Sequence, residues 1–118
     1  MGVLVLTMAL LFVYGTLMDP EICRSLLGRT PLREPAELAG YERRTVRHAS
    51  YPAITATAGT TVRGLLLRRI SNSELAVLDD YEGDEYERIR VKARVNEIDV
   101  EAWAYVWVAG NDRLGPTV

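Results

Sequence analysis

The sequence predicts an α+β fold, a small mixed and partly closed β-barrel of five to seven strands with two short helices. Three observations lead to this prediction. The 118 residues have the size of one domain. Several segments resemble strands, and their apolar residues would fill the interior of a barrel. Two further segments carry the start and stop signals of short helices.

The composition is that of an ordinary globular protein, with 48% hydrophobic and 25% charged residues. Cys23 is the only cysteine, so no disulfide can form within the chain. The formal net charge is −2. Proteins that bind nucleic acid usually carry a cationic excess that neutralises phosphates, and this chain lacks one. We therefore expect no nucleic-acid partner.

The N-terminal 13 residues carry no charge. A membrane-spanning helix needs about 20 apolar residues, and a signal peptide needs a basic segment before its apolar core. We therefore expect no membrane association and a cytoplasmic location. Residues 1–7 are interpreted as an apolar extension and residues 8–118 as a single domain, and Met1 and Met8 are both candidate start positions.

The first elements follow from local signals. Leu10–Tyr14 is a continuous apolar run, which predicts a buried strand that ends at Gly15-Thr16. Asp19 followed by Pro20 is typical of a helix start, and Gly28 is typical of a helix end. These signals predict a short helix from about Pro20 to Leu27, with Cys23 as a small core residue.

The middle of the chain favours extended structure. The predicted strands are Ala39–Val46, Ala53–Thr57 and Val62–Ile70. In the third strand, period-two alternation puts Val62, Leu66 and Ile70 on one face and Leu65 and Leu67 on the other.

The second half of the chain begins with a helix signal. Ser71 and Glu74 match a capping box, and Gly83 is a stop signal, so a helix is predicted from about Asn72 to Tyr81 or Glu82. Two strands follow, Tyr86–Val95 and Val100–Val108. The second strand is apolar on both faces and is predicted to be central. Residues 109–118 are predicted to be irregular.

The strongest chemical signal is an acidic stretch with six carboxylates between Asp79 and Glu87. A run of this kind is usually a solvated helix end. Glu82 differs by its position at the predicted C-terminus of the helix, where the macrodipole and the neighbouring carboxylates disfavour ionisation. Both effects would raise the pKa of Glu82 toward the range useful for proton transfer near neutral pH.

A second signal is the segment Val13–Leu17, in which a buried strand turns into a helical segment. Successive backbone N–H groups at such a turn can bind anions, including carboxylates. A glycine at a turn often serves the geometry alone, so the segment is weak evidence on its own.

Several motifs together resemble one known family. They occur in a fixed order: Leu11-Phe12-Val13-Tyr14-Gly15-Thr16-Leu17, Tyr51-Pro52, Val62-Arg63-Gly64-Leu65-Leu66 and Leu78-Asp79-Asp80-Tyr81-Glu82-Gly83, followed by Tyr86-Glu87-Arg88. In these features, from about Met8 to Val108, the chain resembles the γ-glutamylcyclotransferase-like family, which includes avirulence-induced-gene-like proteins and γ-glutamylamine cyclotransferases.

The resemblance implies a small mixed barrel flanked by helices and a reaction within one substrate molecule. The α-amine of a γ-glutamyl compound attacks its own side-chain amide, releasing 5-oxoproline and an amine or amino acid. In the family a glutamate of the acidic motif is the general acid/base, and the corresponding residue here is Glu82. The turn that lines the substrate pocket corresponds to Tyr14, Gly15, Thr16 and Leu17.

Three further tyrosines, Tyr51, Tyr86 and Tyr105, are candidate substrate contacts. Tyr51-Pro52 could equally serve only to restrict a turn, and Tyr14 could be a core aromatic. Arg88 is expected to pair with the acidic stretch, and the lone histidine, His48, to be exposed. His48 and Cys23 are too isolated for zinc, so we expect neither a metal nor a cofactor.

Two interpretations besides the enzyme remain open. The first is a non-catalytic domain that binds small molecules on the same scaffold. The second is a self-associating structural module that uses the apolar residues 1–6. For the enzyme we expect a small γ-glutamyl substrate and a monomer or weak homodimer, while the sequence leaves the identity of the released amine open.

Overall fold

The computed structural model describes residues 8–118, and these form six strands and two α-helices. The predicted extension over residues 1–7 lies outside them. The strands and α-helices, in chain order, are β1 (Met8–Val13), α1 (Pro20–Leu27), β2 (Arg33–Val46), β3 (Pro52–Ser71), α2 (Asn72–Glu82), β4 (Tyr86–Val95), β5 (Ile98–Trp107) and β6 (Leu114–Thr117). Short 3₁₀ turns occupy Thr16–Met18 and Asn111–Arg113.

The strands pair in the order β3, β1, β5, β4, β2 and β6, and β3 also pairs with β2. The first five strands of this order therefore form a ring. The β1–β5 pair is parallel, and the other pairs are antiparallel. The seam between β2 and β4 consists of one residue pair, Glu37 opposite Arg94. The predicted α+β fold with a partly closed barrel is confirmed.

Strands β2 and β3 form one long hairpin where the sequence predicted three separate strands. Residues 33–39 pair with 61–67, and residues 41–45 pair with 52–56. A bulge over residues 57–60 joins the two halves, and the Thr60 hydroxyl oxygen lies 2.8 Å from the carbonyl oxygens of Tyr41 and Thr57. Because the bulge bends β3 without ending it, the boundaries predicted at Ala53–Thr57 and Val62–Ile70 were wrong.

A second irregularity changes the face on which Ile70 lies. Along β1, Ala9 pairs with Ile70 and Leu11 with Leu67, so β3 has one extra residue between these pairs. Arg69 in this stretch has a φ of 60°. Ile70 therefore packs with Leu67, and the prediction that it shares a face with Val62 and Leu66 was wrong.

The two larger of the three buried clusters among residues 8–118 lie on either side of the sheet. One lies inside the ring, where Phe12, Leu38 and Leu66 meet side chains from β4 and β5. The other lies between the sheet and the helices and contains Cys23 and Leu78, both fully buried. The second cluster fixes α1 and α2 against one side of the ring, next to the end of β1.

Local signals predicted the helices well. Asp19 caps α1 through the backbone N–H of Glu21, and Gly28 ends it with a φ of 75°. Ser71 and Glu74 form the predicted capping box of α2. The bounds of β4 agree with the prediction, whereas β1 and β5 each begin two residues before the predicted start.

The tail is more regular than predicted. Leu114–Thr117 forms β6 and pairs with the C-terminal end of β2, where Val46 lies opposite Leu114. This pairing depends on the distant strand and has no local sequence signal. No helix within residues 8–118 is long and apolar enough to cross a membrane.

Candidate active site

A narrow cleft lies where β1 ends, between α2 and the turn of the β2–β3 hairpin. Its volume of about 20 Å³ has room for roughly one or two water molecules. All eight residues predicted for the site line this cleft, which the structure thereby brings together from five separate segments: Tyr14, Gly15, Thr16, Leu17, Tyr51, Glu82, Tyr86 and Tyr105.

The cleft opens outward into a wider cavity of about 330 Å³. Thr16, Tyr51, Glu82 and Tyr86 line both spaces, so Glu82 lies where they meet. Ser50, Tyr81 and Glu85 line only the wider cavity. A ligand with its reacting atoms beside Glu82 would therefore extend into this outer space.

The turn after β1 fits closely against the β2–β3 hairpin. A Cβ atom on Gly15 would lie 2.9 Å from the ring carbons of Pro52. The absence of a side chain at Gly15 thus allows the turn and the Tyr51-Pro52 pair to approach each other. This contact explains why the two motifs, which are distant in sequence, line one cleft.

A second glycine, Gly64, lies against the strand end that leads into the same turn. A Cβ atom on Gly64 would lie 2.2 Å from the carbonyl oxygen of Val13 and 3.0 Å from the ring of Phe12. Gly64 in β3 therefore lets the end of β1 pack against it. The position of Tyr14, the next residue along the chain, depends on this close backbone approach.

Glu82 is the last residue of α2 and is partly buried. Burial raises the pKa of its carboxyl from 4.5 to about 7. The sequence predicted this direction but attributed it to the helix dipole and neighbouring carboxylates, whereas desolvation is the cause. Within residues 8–118 the Glu82 carboxyl makes no hydrogen bond, so its position is set by the helix that carries it.

Two neighbouring carboxylates of the acidic stretch, Asp79 and Glu85, are paired with arginines. Asp79 pairs with Arg88, with 2.7 Å between Nε and Oδ1, as expected for Arg88 from the sequence. Glu85 pairs with Arg113, and the Tyr51 hydroxyl donates to Glu85 at 3.1 Å. Arg113 and Glu85 thus link the tail, the hairpin turn and the α2–β4 loop at the mouth of the cleft, a contact that the sequence analysis missed.

Two buried phenols and one half-buried phenol line the cleft and donate hydrogen bonds within the protein. Tyr14 donates to the carbonyl of Tyr105 at 2.6 Å, and Tyr86 donates to the carbonyl of Pro52 at 2.6 Å. Tyr105 donates to Asp79 at 2.7 Å. Burial raises the pKa of all three phenols, so they remain neutral donors near pH 7.

The backbone of the turn leaves N–H groups at its start. The first hydrogen bond of the 3₁₀ turn runs from Met18 N to Gly15 O, at 3.0 Å. The N–H groups of Thr16 and Leu17 precede it, and such groups at a helical start are available to other acceptors.

The remaining candidates lie elsewhere. Cys23 is fully buried in the core, and its thiol donates to the carbonyl of Leu17 at 3.2 Å. His48 is exposed, as predicted. Across residues 8–118, no three His, Cys, Asp or Glu side chains are grouped so that they could hold a metal ion.

The fold and the cleft define a small barrel protein in which one partly buried carboxyl lines a cleft together with the turn after the first strand. Comparison with known sequences agrees with this class. The chain belongs to the family described as "Gamma-glutamyl cyclotransferase, AIG2-like", whose sequence profile matches residues 11–117. The resemblance predicted from the motifs is confirmed.

The chain is also similar to individual proteins. It is 35% identical over 103 residues to "Protein AIG2 C" of Arabidopsis thaliana, which covers 86% of this chain and 62% of that protein. It therefore spans less than two thirds of the length of that relative. A solution structure of an Arabidopsis thaliana protein, 32% identical, superposes with a TM-score of 0.83 over 94% of this chain and 77% of that one.

A structure named "Gamma-glutamyl cyclotransferase" superposes with a TM-score of 0.77 over 86% of this chain and 68% of that one. The two sequences are 20% identical, so this similarity shows a common fold.

Proposed function

We propose that this protein is a γ-glutamyl cyclotransferase-type enzyme that converts a γ-glutamyl compound into 5-oxoproline and a free amine or amino acid. The observation that carries the proposal is the partly buried Glu82 carboxyl, which lines both the cleft and the outer cavity together with the turn after β1. A carboxyl in this position can exchange protons with a bound ligand.

The substrate supplies its own nucleophile. Its α-amine nitrogen attacks the γ-carbonyl carbon, a new C–N bond closes the five-membered ring, and the bond to the leaving nitrogen breaks. Because both reacting groups belong to one molecule, the enzyme only has to hold the folded conformation in which they meet.

Glu82 is assigned the proton transfers. As a carboxylate it removes a first proton from the α-ammonium group, and the same nitrogen loses a second proton after it has attacked the γ-carbonyl carbon. As a carboxylic acid Glu82 gives one of these protons to the leaving nitrogen as its C–N bond breaks, and the other passes to solvent, from which the released amine takes up a proton. A pKa of about 7 populates both forms near neutral pH. No metal or covalent intermediate is needed for these steps.

The turn after β1 is assigned the anionic parts of the substrate. The N–H groups of Gly15, Thr16 and Leu17 would bind the α-carboxylate or the oxyanion that develops on the γ-carbonyl oxygen. Tyr14, Tyr51, Tyr86 and Tyr105 would enclose the ligand. The outer cavity would hold the leaving group.

We expect the enzyme to be a cytoplasmic monomer or weak homodimer.

The test is a screen of γ-glutamyl compounds for 5-oxoproline release by the wild-type protein and by Glu82→Gln. The panel contains γ-glutamyl amino acids, γ-glutamyl-lysine isopeptides and glutathione-like peptides. We expect at least one compound to react and Glu82→Gln to reduce its kcat by about 10²- to 10⁴-fold.

The matched control is Glu74→Gln, the same substitution at the other end of α2, which should retain kcat. Two results would contradict the proposal. One is a panel without any reaction, which would favour a non-catalytic binding domain. The other is Glu82→Gln activity within about tenfold of the wild type, a loss of only about 1.4 kcal/mol of barrier lowering.

A further inference from the structure

The end of α2 that carries Glu82 is held to the sheet by Asp79, one helical turn earlier. The Asp79 carboxylate accepts hydrogen bonds from Arg88 Nε at 2.7 Å, from Arg88 Nη2 at 3.1 Å and from the Tyr105 hydroxyl at 2.7 Å. Arg88 and Tyr105 lie directly opposite each other on β4 and β5. One carboxylate thus joins the helix to two paired strands.

The guanidinium of Arg88 is itself constrained. It lies over the indole of Trp103 on β5, 4.3 Å from the ring centroid. A planar guanidinium that makes two hydrogen bonds to one carboxylate and stacks on an aromatic ring has little freedom to move. The Asp79 contact is therefore a defined attachment point of α2, even though the Asp79 side chain is 41% exposed.

Tyr105 connects this attachment point to the opposite wall of the cleft. Its hydroxyl donates to Asp79, and its backbone carbonyl accepts the hydrogen bond from Tyr14. Tyr14 and Glu82 both line the cleft. Tyr105 therefore links Tyr14 on one wall to α2 on the other wall through two hydrogen bonds. These bonds fix the distance between the two walls.

Glu82 has no comparable attachment of its own among the described residues. Its neighbour Tyr81 makes one hydrogen bond, to the Thr16 hydroxyl at 3.0 Å, whereas Asp79 accepts three. The orientation of Glu82 thus depends mainly on where the final turn of α2 lies. We propose that Asp79, held by Arg88 and Tyr105, is a positioning residue that keeps the Glu82 carboxyl inside the cleft; this inference rests on the proposed function.

The groups that face Glu82 have to be considered because the test uses its titration. They are one carboxylate, Glu85, which is paired with Arg113, and five phenols: Tyr14, Tyr51, Tyr81, Tyr86 and Tyr105. Asp79 and Arg88 form an ion pair one helical turn before Glu82. Their removal would act on Glu82 both through its position and through its electrostatic environment.

Two substitutions separate these effects. Asp79→Asn removes a negative charge and Arg88→Gln removes a positive charge, so electrostatics alone would shift the Glu82 titration downward in the first and upward in the second. If the final turn of α2 is no longer held in place, the Glu82 carboxyl becomes exposed to water in both variants. The proposal therefore predicts a downward shift in both.

The measurements are a ¹³C NMR titration of the Glu82 carboxyl and the pH profile of kcat. We expect the titration midpoint to fall from about 7 by about one pH unit in both variants. We expect kcat to fall by about tenfold or more with a smaller change in KM, since small displacements of a catalytic group are costly.

The control is Glu74→Gln, which removes an ion pair at the other end of the same helix and should leave the midpoint unchanged. If Arg88→Gln does not fold, Arg88→Lys replaces it. Lysine keeps the charge but loses the bidentate contact, so its shift should be smaller and still downward.

An unchanged midpoint in both Asp79→Asn and the Arg88 variant, or shifts in opposite directions, would overturn the inference. The titration distinguishes this failure from failure of the proposed function because it does not require activity. An active protein whose Glu82→Gln variant is inactive, but in which Asp79→Asn changes neither midpoint nor kcat, would refute the positioning role alone.

Discussion

The two ends of α2 each carry a glutamate, and the two glutamates have opposite environments. Glu74 in the first turn accepts hydrogen bonds from the Ser71 backbone at 3.0 Å and from Arg29 at 2.8 Å. These bonds, chiefly those from Arg29, lower the pKa of Glu74 below its ordinary value. Glu82 in the last turn has no such bonds within residues 8–118, and burial raises its pKa to about 7.

The difference indicates how the two ends of one helix give two carboxyl groups different roles, one in stability and one in proton transfer. At the N-terminus the helix dipole and exposed N–H groups favour a negative charge, so Glu74 stabilises the fold in its ionised form. At the C-terminus no hydrogen bond or ion pair from residues 8–118 compensates the charge of Glu82. Its carboxyl can therefore bind and release a proton near neutral pH.

The largest expected difference is in kcat, between two single variants that each shorten one of the glutamates by one methylene group. Glu82→Asp keeps an acid but withdraws it from the cleft, and we expect kcat to fall by about 10²-fold. Glu74→Asp should leave kcat within about twofold. Steady-state kinetics on the substrate found by screening checks both values, and a fully active Glu82→Asp would show that the position of this carboxyl is unimportant.

The next effect concerns stability as a function of pH. The folded-state pKa of Glu82 lies above its ordinary value, so folding favours the protonated form. The stability contributed by that form is complete below about pH 4.5 and is lost as the pH rises through about 7. Glu82→Gln lacks this loss and should be more stable than the wild type by about 3 kcal/mol at pH 8, since one pKa unit corresponds to about 1.4 kcal/mol.

Urea unfolding of both proteins at pH 4.5 and pH 8 measures this difference. We expect the gain of Glu82→Gln to appear at pH 8 and to be much smaller at pH 4.5. An equal stability difference at both pH values would mean that Glu82 titrates normally in the folded protein.

The smallest expected effect is at the other end of the helix. Glu74→Ala removes the second half of the capping box and the ion pair with Arg29, which should cost about 1–2 kcal/mol of unfolding free energy at pH 7. The ionic part of this cost should begin to diminish as the pH falls below the ordinary pKa of a carboxyl, and it should be lost as the pH falls through the lowered pKa of folded Glu74, where that carboxylate becomes protonated. Loss of activity in folded Glu74→Ala would contradict the assignment of a structural role to Glu74 and a catalytic role to Glu82.

Local chemistry explains which parts of the fold could be predicted. The capping box of α2, the Asp19-Pro20 start of α1 and the alternation in β4 are properties of adjacent residues, and all three predictions are confirmed. The bulge at residues 57–60 and the pairing of β6 with β2 depend on strands that are distant in sequence. These features had no local signal.

The candidate site divides in the same way. Glu82 could be singled out from its place after a helical stripe, together with the family resemblance. The reason for its raised pKa could not, because burial depends on how Tyr14, Tyr86 and Tyr105 enclose the cleft. The sequence predicted that Arg88 pairs with the acidic stretch but not that Asp79 is its partner, and it did not predict the contact between Glu85 and Arg113.

The most direct test of the account is to compare the titration of the Glu82 carboxyl with the pH dependence of 5-oxoproline formation in the wild-type protein. The account predicts that the carboxyl titrates near pH 7 and that kcat changes with the same midpoint. A Glu82 that titrates near 4.5 while 5-oxoproline formation changes at another pH would contradict it.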